Sequence, residues 1–122
     1  MIILSLGSNL KSKFGNRFDN LLYAMSFLED NDIKIDKRSS FFETPSYPDK
    51  KKPKFINIII SVNTNLSINN LIDLIISTEE KLGRKRIQKN DPRTCDIDII
   101  DYKNEVMNFM LNDLNFSSKI AA

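Results

Sequence analysis

Histidine is absent from the 122 residues. That removes histidine metal sites, Ser–His triads and an imidazole proton shuttle together. The one cysteine, Cys95, excludes an internal disulfide framework. It reads as a small packed residue, because a nucleophile would need a base that the sequence does not show. No apolar run approaches the roughly 20 residues of a membrane-spanning helix. The opening Met1-Ile2-Ile3-Leu4 carries no basic leader and no small-residue cleavage site, so a cytoplasmic protein is expected. There is no G-x-x-x-x-G-K-[ST], so any nucleotide is not held by a P-loop. An excess of one charge is also lacking: 18 basic residues stand against 16 acidic, a net charge of +2. That balance gives no argument for a nucleic-acid or membrane partner.

What is present suits one domain over residues 1–122, with 41% hydrophobic residues for a core and 28% charged residues for the surface. Residues 2–6 are a short apolar run ended by Gly7-Ser8-Asn9, a buried strand entering a turn. From Asn16 to about Asp30, Phe18, Leu21, Leu22, Met25 and Leu28 form one helical stripe. Ile33, Ile35 and Phe41 share a parity that predicts a strand over 33–42. Pro45, Pro48 and Pro53 exclude a regular helix or central strand over 43–54, which reads as a long loop with solvated lysines. In 55–64 the even positions Ile56, Ile58, Ile60 and Val62 face a core, and the odd positions are mixed. Ser67 is a good N-cap, Ile68, Leu71, Ile72, Ile75 and Leu82 share a helical face, and Gly83 is placed to end that helix. Residues 96–101 are a last strand. The order strand, helix, strand, strand, helix, strand is the ferredoxin-like βαββαβ arrangement of the α+β class. It predicts a four-stranded antiparallel sheet ordered 4-1-3-2 with both helices on one face and a site on the other.

Four constellations carry possible chemistry. Asp96 and Asp98 sit two apart on a strand and face the same side, which suits Mg²⁺ with water and phosphate completing its shell. Alone, such a pair reads more readily as the solvated face of an edge strand. Glu79 continues the stripe of Ile68, Ile72 and Ile75, so it is either a carboxylate turned inward or a boundary residue at the helix end. Glu80 falls off the stripe. Arg84, Lys85, Arg86, Lys89 and Arg93 crowd the connection into the Asp strand. Guanidinium forks match phosphate oxygens, and a solvated basic loop is the competing reading. Phe55 and Asn57 share the odd face of their strand, where an aromatic and an amide suit a flat heterocycle or a cross-strand packing pair.

Taken in order, these stretches resemble one family. They are Leu4-Ser5-Leu6-Gly7-Ser8-Asn9-Leu10, Phe42-Glu43-Thr44-Pro45, Pro53-Lys54-Phe55-Ile56-Asn57, Glu79 with Leu82-Gly83-Arg84-Lys85-Arg86, and Pro92-Arg93-Thr94-Cys95-Asp96-Ile97-Asp98-Ile99. The chain is similar over residues 2–102 to 6-hydroxymethyl-7,8-dihydropterin pyrophosphokinases of folate biosynthesis. The resemblance implies transfer of diphosphate from ATP to the pterin hydroxymethyl group, releasing AMP. It implies that Asp96 and Asp98 hold two Mg²⁺ ions, that Glu79 contacts ATP, and that Arg84, Arg86 and Arg93 serve the phosphates. Asp96, Asp98, Arg84 and Arg93 would form the catalytic set. Asn57 would read the pterin edge, Phe55 would border the ring, and Thr44, Pro45 and Tyr47 would line it from the loop. The expected partners are ATP and the pterin, with no nucleic acid and no membrane, and the expected state is a monomer. Two departures stand out. Asn90-Asp91 replaces the family's usual Trp-Gly, and the chain is expected to lack a C-terminal segment with a Pro-His, a further Arg and an aromatic. On that expectation the 122 residues keep the fold but have little activity. The competing readings are a non-catalytic remnant that binds ATP or pterin, and an RNA-recognition module of the same topology.

Overall fold

The computed structural model describes residues 1–46, 48–84 and 92–103. The expectations placed on Tyr47, Lys85, Arg86, Lys89, Asn90-Asp91 and the residues after 103 lie outside these. The elements run β1 (Ile2–Ser8), α1 (Arg17–Glu29), β2 (Lys34–Arg38), β3 (Phe42–Thr44), β4 (Phe55–Asn63), α2 (Ile68–Lys81) and β5 (Asp96–Tyr102). The sheet is antiparallel in the order β2-β4-β1-β5, with β3 also on β4. This is the expected strand order. Among the described residues no helix is long and apolar enough to cross a membrane.

The expected strand over 33–42 is two shorter ones, both laid on the same edge of β4. β2 pairs with Ile60–Asn63, and β3 pairs Phe42 with Asn57 and Thr44 with Phe55. Between them Ser39 bridges the gap. Its N–H donates to the Ile59 carbonyl at 2.8 Å, and its Oγ accepts the Ile59 N–H at 2.9 Å. A hydroxyl therefore replaces one rung of backbone ladder, which period-two reading has no means to register. β3 also takes Thr44 out of the expected loop. β1 continues through Gly7 and Ser8, which pair with Asn57 and Ile56 instead of turning.

The core lies between the sheet and the two helices. Leu4, Leu6, Ile58, Ile60, Ile97 and Ile99 project from one face onto Leu21, Met25, Leu28, Leu71 and Ile75. At α1 the apolar stripe is narrower than expected. Phe18 and Leu22 are exposed, and the buried face is Asn20, Leu21, Ala24, Met25 and Leu28. Phe41 is likewise surface, edge-on to Phe18 with ring centroids 5.3 Å apart. Buried Asn20 is satisfied: its Nδ2 donates to the Leu10 carbonyl and Ser8 Oγ, and its Oδ1 accepts from Ser12 Oγ. α1 begins in a full capping box between Asn16 and Asp19. Ser67 caps α2 as expected.

Candidate functional site

The helix-free face is read by rungs, because directly paired residues of adjacent strands share a side. One rung runs Phe42, Asn57, Gly7, Asp96 across four strands, and the next runs Ile59, Ser5, Asp98. An amide and a carboxylate therefore stand two strand spacings apart, roughly 10 Å, with glycine between them. A depression of about 190 Å³ opens there. Ser5 and Gly7 form its floor, Thr44, Phe55 and Asn57 one side, and Arg93, Asp96 and Asp98 the other. A Cβ at Gly7 would come within 2.9 Å of Asn57 Oδ1 and 3.4 Å of the Phe55 ring. The missing side chain is thus what lets the amide lie over the floor. Asn57 Nδ2 is already engaged, donating to Thr44 Oγ1 at 2.8 Å and the Phe42 carbonyl at 3.2 Å. These two bonds tie the start of the 43–54 loop to the sheet.

A second group forms at the end of α2. Gly83 adopts φ +84°, the left-handed conformation glycine tolerates. Its N–H donates to the Glu80 carbonyl, and the Arg84 N–H donates to that of Glu79. This paired 5→2 and 6→1 closure folds the chain back on the last turn. It delivers the Arg84 guanidinium to the Glu79 carboxylate, where NH1 lies 2.6 Å from Oε2 and 2.7 Å from Asp96 Oδ1. Glu79 is only 2% exposed, and Oε2 also accepts the Ile97 N–H at 2.8 Å. The inward reading of Glu79 is the one the structure adopts, while Glu80 is exposed. Burial works to lower the pKa of Arg84, but the charges of Glu79 and Asp96 outweigh it and hold the guanidinium above its ordinary value. Arg93 approaches the other oxygen of Asp96, NH1 to Oδ2 at 3.5 Å. A cavity of about 240 Å³ opens beside Ile76, Glu79, Glu80 and Arg84.

Of the residues singled out in the sequence, Thr44, Phe55, Asn57, Arg93, Asp96 and Asp98 meet in the first depression, and Glu79 and Arg84 line the second cavity. Pro45 is exposed and lines neither. Tyr47 and Arg86 lie outside the described residues. Sequence reasoning missed Ser5 and Gly7 as the floor of the site, since Ser5 reads as an ordinary strand residue and Gly7-Ser8-Asn9 carries the signature of a turn. Asp96, which also meets Arg84 through Oδ1 and Arg93 through Oδ2, and Asp98 are hard oxygen donors on one face, the donor type that Mg²⁺ takes. Among the described residues no group of three or more acidic or cysteine side chains gathers as a metal cluster. The donor set thus leaves most of the shell to water and a phosphate ligand.

Fold and site together define an α+β domain whose open sheet face joins an amide–aromatic side to a carboxylate–arginine side. The chain matches the family described as 7,8-dihydro-6-hydroxymethylpterin-pyrophosphokinase (HPPK) over residues 3–119, and it belongs to that family. It is 34% identical over 106 residues to the 2-amino-4-hydroxy-6-hydroxymethyldihydropteridine pyrophosphokinase of Aquifex aeolicus, covering 87% of this chain and 63% of that one. It is 31% identical to the protein of the same name from Campylobacter jejuni, covering 87% and 66%. It is also 33% identical to the folic acid synthesis protein fol1 of Pneumocystis carinii, covering 88% of this chain and 14% of that one. The chain thus spans somewhat less than two thirds of the length of these two bacterial relatives. The RNA-recognition alternative is not favoured by this match.

Proposed function

We propose that this chain transfers diphosphate from ATP to the hydroxymethyl group of 6-hydroxymethyl-7,8-dihydropterin, a step of folate synthesis, and releases AMP. The observation that carries the reading is the rung Asn57–Gly7–Asp96, which holds a heterocycle-reading amide and a metal-type carboxylate on one open face. In the reaction the pterin hydroxyl oxygen bonds to the β-phosphorus and gives up its proton to solvent, and the bond from that phosphorus to the oxygen bridging it to the α-phosphorus breaks, so that AMP leaves with that oxygen. Asn57 and Phe55 hold the pterin, with Thr44 and Tyr47 at its border. Arg84, Arg86 and Arg93 take the phosphates, and Glu79 meets the nucleotide from the end of α2. Asp96 and Asp98 would hold two Mg²⁺ ions, which neutralise phosphate charge when bound. Little covalent work is left to the protein, so alignment and charge stabilisation supply the rate, and no histidine base is required. Both sides of the rung come from one chain, so a monomer suffices.

The test is an AMP-release assay with ATP, Mg²⁺ and the hydroxymethyl pterin. In a version of the chain extended by a relative's C-terminal segment, Asp98→Ala should reduce turnover at least a hundredfold, about 2.7 kcal/mol of barrier, while Asp36→Ala, exposed on the outer strand, changes it less than twofold. Turnover that survives Asp98→Ala, or a wild-type chain that binds neither substrate, overturns the proposal.

A further inference from the structure

Asn9 is 3% exposed and touches two segments far apart in sequence. Its side-chain Oδ1 accepts the Arg93 N–H at 2.6 Å, and its own N–H donates to the Arg93 carbonyl at 3.0 Å. Its Nδ2 donates to the Pro53 carbonyl at 3.1 Å. Both ends of the amide and the main chain are therefore committed. Pro53 stands two residues before Phe55 and four before Asn57, the heterocycle side of the face. Arg93 reaches Asp96 and opens the carboxylate side. We propose that Asn9 is a positioning residue that clamps these two sides in register, its Oδ1 fixing the nucleotide–metal side through Arg93 and its Nδ2 fixing the pterin side through Pro53. The inference rests on the pyrophosphokinase reading of the site and adds to it a residue that touches neither ligand.

An amide serves here because it presents an acceptor and a donor from one planar group. Aspartate keeps the acceptor for Arg93 but sets a carboxylate oxygen against the Pro53 carbonyl. Alanine removes both contacts. The two substitutions therefore separate the two sides, whereas general destabilisation would affect both alike.

The experiment uses the full chain with Asn9→Asp and Asn9→Ala. Titration calorimetry measures binding of a non-hydrolysable ATP analogue with Mg²⁺ and, separately, of 6-hydroxymethylpterin. Amide hydrogen exchange follows the Arg93 N–H against the β1–β4 ladder. Asn9→Asp should weaken pterin binding on the order of tenfold and leave nucleotide binding within about twofold, with the Arg93 amide still protected. Asn9→Ala should weaken both on the order of tenfold and unprotect Arg93 while the ladder stays protected. Equal effects of the two variants on both ligands, or loss of protection across the whole sheet, overturn the proposal. A wild-type chain that binds neither ligand overturns the pyrophosphokinase reading, and the proposal with it. A wild-type chain that binds both, with Asn9→Ala indistinguishable from it, overturns the role of Asn9 alone.

Discussion

Gly7 shows how a site is made by leaving a side chain out. Its neighbours along the rung are Asn57 and Asp96, and its backbone is ordinary strand, so alanine fits the conformation but not the space. The added methyl would press on Asn57 Oδ1 from 2.9 Å and turn the amide off the floor. Gly7→Ala is expected to keep the fold, with a stability change within about 1 kcal/mol, and to weaken pterin binding about tenfold. Thermal melting and titration calorimetry on the same sample check both halves. Asn57 itself has two duties. Its Nδ2 holds Thr44 and Phe42, so the amide is oriented before any ligand arrives.

Among the elements, the β2–β3 edge departs most from what the pattern implied. Between the short strands β2 and β3, Ser39 keeps one backbone bond to Ile59 and supplies the other through its hydroxyl, holding the chain to the same edge. Ser39→Ala removes the acceptor for the Ile59 N–H. The contact is exposed, so the cost should be small, about 0.5–1 kcal/mol in urea unfolding. The Ile59 amide should exchange faster, and Thr44 should loosen with the edge. The end of α2 is the opposite case. Ser67, the apolar stripe and Gly83 all agree with one another, and this agreement places Glu79 and Arg84 side by side.

Across the whole molecule, the Glu79–Arg84–Asp96 group joins the last turn of α2 to the head of β5 through a buried carboxylate, a nearly buried guanidinium and a half-buried carboxylate. Removing Arg84 takes away the cation that Glu79 and Asp96 share, in a poor solvent for charge. Arg84→Met should cost about 3–5 kcal/mol, measured by urea unfolding. The sign of its pH dependence follows from the raised pKa of Arg84. Stability from a raised base is fully present below its unfolded value and is lost only as pH rises through the folded one. For arginine that window lies above about pH 12. The difference between wild type and Arg84→Met should therefore stay flat between about pH 8 and pH 10. A difference that shrinks across that range contradicts a charge-held junction.

Residue order alone determined the order of the elements apart from the split between β2 and β3, the buried face of β4, the cap and stop of α2, and the same-side placement of Asp96 and Asp98. Each depends on spacing along the chain, through a period of two or 3.6 or a local cap. The motifs also sufficed for the family. Tertiary structure decided that Phe18, Leu22 and Phe41 lie outside the core, since a stripe is buried only as wide as the surface it meets. It decided that Gly7 is a floor and not a turn, because its role is defined by Asn57, fifty residues away, and Asp96 on the other flank. It decided that Asn9 joins Pro53 to Arg93. Hydrogen bonds across such separations leave no period in the sequence, because each needs only one residue at each end.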